Sequence, residues 1–105
     1  MRADQVQQKR WSKKTILFEN AEYSVIAGTY RGDLSTRHAL GERWNGPDDK
    51  ALGFPSVGKY PIWHIVPEFL EIPILHGLLE ELARHPQSED RKPSILLELA
   101  RRQRQ

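Results

Sequence analysis

The chain has 105 residues, no cysteine and a formal net charge of +2. That length suits one domain, and the missing cysteines exclude disulfides and thiolate metal sites and fit a reducing cytoplasm. The polar opening MRADQVQQKRWSKK lacks a signal-peptide core, and His64, Glu68, Glu71 and His76 interrupt the apolar runs, so a soluble cytoplasmic protein without membrane association is expected.

Charge is unevenly distributed. Residues 1–14 carry five basic side chains against one acidic, and residues 91–105 carry the same ratio. Residues 15–90 hold six basic against twelve acidic side chains. The high isoelectric point therefore belongs to the two ends, and the body is acidic. Basic ends are suited to solvation or to anionic surfaces.

In chain order, Met1–Lys14 reads as a polar basic arm, either mobile or docked through Trp11. Thr15–Phe18 is a predicted strand, followed by a turn at Glu19-Asn20-Ala21-Glu22 and a second strand over Tyr23–Tyr30. Gly32 and Asp33 then form a turn. Their tripeptide with Arg31 resembles an integrin-binding motif, but turn formation accounts for it. In Thr36–Trp44, His38, Leu40, Glu42 and Trp44 alternate with Arg37, Ala39, Gly41 and Arg43. The first set is expected to face inward, with a charged, solvated reverse side.

The stretch NGPDDKALGFPSVGKYP is loop chemistry, with room for a short strand near Ala51–Phe54. It lacks the Gly-Lys-Ser/Thr ending of a phosphate-binding loop. Tyr60–Val66 is a predicted strand ended by Pro67. A helix is expected next, with Pro73 in its first turn and an apolar stripe of Leu75, Leu78, Leu79 and Leu82. His85–Pro86 should stop it, before a polar linker. A second helix opens at Pro93 with Ile95, Leu96 and Leu99 as its apolar stripe, and Arg101 and Arg102 favour its C-terminal dipole. The fold class is thus α+β: an antiparallel sheet of three to five strands covered by one helix, plus a short C-terminal helix. The domain is expected to span residues 15–90, with residues 91–105 as a short basic helix or tail. Trp63 and Leu78 should be buried.

Four histidines invite a metal site, but no HxH or HExxH spacing joins them, and no metal or cofactor is expected. None of the four serines sits in a GxSxG elbow, and the carboxylate pairs Asp48–Asp49 and Glu80–Glu81 fall in loop or solvated-helix settings. No catalytic residue is assigned. The principal expectation is a non-catalytic homodimeric binding module, with a further protein partner left open. Two alternatives stand beside it. Arg31, Arg37, Arg43 and Lys59 with Trp44 and Tyr30 have the ingredients of a single-stranded nucleic-acid surface. His38, Glu42, Trp44, Trp63 and His64 could line a pocket for a small ligand or an enzymatic substrate.

From Leu17 to about Leu82 the chain also resembles a group of short bacterial proteins, some encoded on integron gene cassettes. The shared features are Trp44-Asn45-Gly46, Gly53-Phe54-Pro55, Pro61-Ile62-Trp63, Val66-Pro67 and the leucine helix. That group brings no established activity. The order RWNG…GK…IVPEFL…LLEEL is similar, more weakly, to the transcriptional positive-cofactor family. That likeness implies a strand-strand-strand-strand-helix dimer binding single-stranded DNA through its sheet. The acidic body, Pro61, Pro73 and the lack of a lysine cluster set this chain apart from that family.

Overall fold

The computed structural model of the chain describes residues 1–48, 50–85 and 90–103. Asp49, the Pro86 helix stop, Gln87, Ser88 and Glu89 of the predicted linker, and Arg104 lie outside the described residues. The fold is α+β, as the element order predicts. Two compact units compose it, Met1–Val66 and Pro67–Gln105.

The first unit is a sheet. Strands β1 (Trp11–Glu19), β2 (Tyr23–Arg31) and β3 (Thr36–Trp44) form an antiparallel meander. The hairpin of β4 (Ser56–Val57) and β5 (Tyr60–Pro61) is a separate two-stranded sheet. Strand β6 (His64–Ile65) returns to pair with β3, giving the order β1-β2-β3-β6. Both predicted turns form. The Asn20 side chain accepts from the amides of Glu22 and Tyr23 at 2.9 and 2.8 Å, and the Gly32 amide donates to the Ser35 carbonyl at 2.8 Å.

Residues 1–14 belong to this unit. Ala3–Gln5 is a 3-10 turn, and Ala3, Val6, Trp11, Ile26, Ala39 and Trp63 form one buried cluster. Strand β1 starts at Trp11, four residues before the predicted Thr15, because Trp11 and Ser12 pair with Tyr30 and Thr29 of β2, ahead of a register shift over Lys13-Lys14. Lys14 is half-buried, and its ammonium donates to the Val6 carbonyl at 2.9 Å.

The predicted solvated reverse side of β3 is corrected by the structure. Ala39, Gly41 and Arg43 share a sheet face with Ile26 and lie buried. A β-carbon at Gly41 would sit 3.0 Å from the Trp11 indole, so the small residues of β3 form the bed for that ring. On the other face Val25, Ala27 and Leu40 are buried as well. The predicted single strand over Tyr60–Val66 is also corrected: it is split between β5 and β6, with Trp63 buried between them.

The second unit holds the helices α1 (Glu68–Arg84) and α2 (Lys92–Gln103). Helix α1 starts five residues before Pro73, so that proline lies inside the helix rather than in its first turn. It cannot donate to the Phe69 carbonyl one turn back. Leu75, Leu78 and Leu82 are buried, as are Ile95 and Leu99, whereas Leu96 is exposed. Arg102 departs from its predicted role as a dipole partner. Its Nε donates to Glu71 at 3.0 Å and its Nη1 to Glu98 at 2.8 Å, a buried ionic link between the helices. Among the described residues, no helix is long and apolar enough to cross a membrane.

Candidate functional site

The end of β3 organises the site. Trp44 pairs with Tyr23 of β2 on one side and with Phe54 on the other. The Trp44 amide donates to the Phe54 carbonyl at 2.7 Å, and the Phe54 amide returns a bond at 2.9 Å. Directly opposed residues of antiparallel strands project to the same face. Tyr23, Trp44 and Phe54 therefore stand in one aromatic row. The next row, two residues along, is Val25, Glu42 and His64.

The two rows enclose a cavity of about 160 Å³ lined by Tyr23, Glu42, Arg43, Trp44, Phe54, Pro55 and His64. The Tyr23 and Trp44 rings meet at 57° with centroids 4.9 Å apart, forming a corner. Trp44 is 53% exposed and Phe54 67% exposed. The Tyr23 hydroxyl donates to Glu42 Oε1 at 2.6 Å, while His64 Nδ1 lies 3.8 Å from Glu42 Oε2. Burial, then the bond to Glu42, pushes the Tyr23 hydroxyl well above its ordinary value. On the other side of Trp44, Glu22, Gly46 and Pro47 line a shallower depression of about 270 Å³.

Arg43 braces this corner from beneath. Only 1% exposed, it donates to the carbonyls of Ile62, at 2.9 Å, and Leu52, and lies 6.0 Å from the Trp63 ring centre. Burial lowers its pKa. Gly53 has φ +67°, and a β-carbon there would collide with the Trp44 carbonyl and the Arg43 guanidinium. Asn45, also buried, accepts from Ser24 Oγ at 2.8 Å and donates to the Asn20 carbonyl at 3.0 Å, fixing the end of β3 to the β1–β2 turn.

The residues read from sequence as a pocket are only partly brought together. Glu42, Trp44 and His64 line the recess; Trp63 is buried on the opposite face of the sheet, and His38 does not line the cavity. Tyr23, Phe54 and Pro55 join the recess without having been singled out. The residues read as a nucleic-acid surface divide more widely. Arg43 is buried, Tyr30 packs against Trp11 at 5.1 Å, and Arg37 turns toward the Val66 carbonyl. Arg31, Lys59 and Trp44 are exposed but lie apart, at the end of β2, in the β4–β5 turn and at the end of β3. Among the described residues, no three histidine, aspartate or glutamate side chains gather in a way that could hold a metal ion.

No protein-family model, curated protein or solved structure matches the chain.

Proposed function

We propose that the chain is a non-catalytic binding module that works as a homodimer and takes its ligand at the Tyr23–Trp44–Phe54 recess. The observation that carries this reading is the aromatic row itself. Three rings aligned by backbone pairing leave an exposed apolar surface beside a carboxylate, a combination typical of recognition sites. Its rigidity supports the same reading, because Arg43, Gly53 and Asn45 fix the recess from behind. Pre-ordered side chains lose little freedom on binding.

The Tyr23 hydroxyl, kept protonated by burial and by its bond to Glu42, serves in this reading as a donor that fixes the carboxylate. The homodimer draws support from the helices, where Phe69 is 79% exposed and Leu96 and Leu97 are also exposed. Such side chains favour burial against a second copy. The kinship with cassette-encoded bacterial proteins belongs to the same proposal, resting on the motifs around Trp44, Phe54 and Trp63.

Amide chemical-shift mapping with a library of small fragments tests the recess. The largest shifts are expected at residues 22–25, 42–45, 53–55 and 64. A map centred elsewhere refutes the site. Sedimentation at micromolar concentration is expected to give twice the 12.2 kDa chain mass. A clean monomer refutes the dimer.

A further inference from the structure

We infer that the recess binds the alkylammonium head of a small organic cation, with Glu42 as the counter-charge. This inference rests on reading the recess as the binding site, and it adds the chemical class of the ligand.

Size comes first. A cavity of about 160 Å³ falls below the usual range of roughly 300–1,000 Å³ for drug-sized ligands and cofactors. It suits a compact head group. The walls then select the charge. The Tyr23 and Trp44 rings meet as a corner, and Phe54 completes the row. Aromatic faces carry negative potential and attract a cation, most strongly a weakly hydrated quaternary one.

The carboxylates act in the same direction. Glu42 accepts from Tyr23 through Oε1, whereas His64 stands 3.8 Å from Oε2, beyond hydrogen-bond length. A cation above the rings therefore meets a carboxylate at the end of the recess. Glu22, lining the depression on the other side of Trp44, adds negative potential around the indole. Arg43 is the nearest fixed positive charge in the lining. Its Nη1 and Nη2 are engaged with the Ile62 and Leu52 carbonyls, while its Nε is buried without a partner. An anionic ligand would meet the Glu42 carboxylate in the same recess. An uncharged ligand would gain the apolar walls but nothing from the carboxylate.

The test uses the full chain, choline, and choline's uncharged analogue with carbon replacing nitrogen, at constant ionic strength. Trp44 emission and the amide shifts of residues 42–45 report binding. Choline is expected to titrate in the millimolar range, with the carbon analogue about tenfold weaker. Glu42→Gln keeps an oxygen acceptor for Tyr23 and removes the charge. It should weaken choline about tenfold while leaving the analogue unchanged. Trp44→Ala, at an exposed position, removes the emission reporter itself and should abolish the choline-dependent shifts of the remaining amides at 42–45 in a protein with unchanged circular dichroism. A peptide bearing trimethyllysine distinguishes the sources of the same chemistry. Binding tighter than choline supports the inference with a protein-borne head group; equal or weaker binding supports it with a free solute. Equal affinity for choline and its analogue overturns the inference while the recess remains a binding site. So does an unchanged choline affinity in Glu42→Gln. Binding of neither compound also overturns it, and the fragment map then judges the recess independently.

Discussion

Replacing Arg43 by methionine tests whether the brace beneath the recess holds through its hydrogen bonds or only fills space. The guanidinium donates to two loop carbonyls, those of Ile62 and Leu52, and sits over Trp63. Hydrogen bonds from a charged donor contribute about 1.5–3 kcal/mol each. Methionine retains most of the buried stem but leaves both carbonyls without this donor, at about 1–3 kcal/mol apiece. Against this stands the relief of desolvating a charge, which can reach several kcal/mol. Arg43 has carbonyl oxygens facing it rather than a carboxylate, so the stranded acceptors should prevail, for a net loss of about 2–3 kcal/mol. Arg43→Ala further removes two buried methylenes worth about 0.8 kcal/mol each, for a total near 4 kcal/mol. Urea unfolding followed by tryptophan emission measures both changes, as a shift in midpoint at constant slope. Amide exchange should quicken at residues 52–54 and 62. A methionine variant as stable as the parent, with unchanged exchange in the loop, would refute the reasoning.

Four further outcomes are expected. Arg102→Met removes the guanidinium shared by the buried Glu71 and Glu98 and should destabilise the helical unit by about 3–5 kcal/mol, read from helical circular dichroism during urea unfolding; a loss under about 1 kcal/mol refutes it. Leu78→Ala should lose about 2–5 kcal/mol by leaving a cavity, and a loss below about 1 kcal/mol in the same assay would mean that its burial contributes little. Tyr23 keeps its proton in the folded state beyond the ordinary value of 10.0, so the stability it contributes is complete below pH 10 and declines as pH rises further. The difference in unfolding free energy between the parent and Tyr23→Phe should therefore change above pH 10 and stay flat below it; a difference that stays flat throughout refutes the linkage. Finally, the full chain should show no Trp44 quenching on titration with single-stranded oligonucleotides at physiological salt. Quenching with a salt slope near −0.7 per phosphate contacted, lost in Trp44→Ala, would restore the nucleic-acid reading.

The helices and the meander were legible because their signals are local. The leucine spacing in α1, the β-branched run in β2 and the turns at Asn20 and Gly32 each declare themselves within a few residues. What was hidden depends on partners distant in sequence. Lys13 and Lys14 lie within β1 because β2 pairs with Trp11 and Ser12 on one side of them and with Thr15 on the other, and Arg43 is buried because loop carbonyls converge on it. Pro73 misled because it tolerates a helix interior when the surrounding turns hold, a tertiary outcome that overrides propensity. The recess was half visible. Glu42, Trp44 and His64 follow from strand alternation, but Phe54 joins through a single bridge from a loop with no strand pattern of its own.

Strand β1 has two register shifts, between Ser12 and Thr15 and between Ile16 and Phe18, with Lys13 at φ 52°. It is also an outer strand of the four-stranded sheet, and the opposite border, β6, has only two residues. Each irregularity interrupts the ladder of free amides and carbonyls that another chain would need for continuous pairing, and paired lysines repel a copy of themselves. The β1 border is thereby a poor template for strand addition and the fibrous growth that follows from it. A contact between two copies through exposed apolar side chains, such as Phe69 and Leu97, would not need that border.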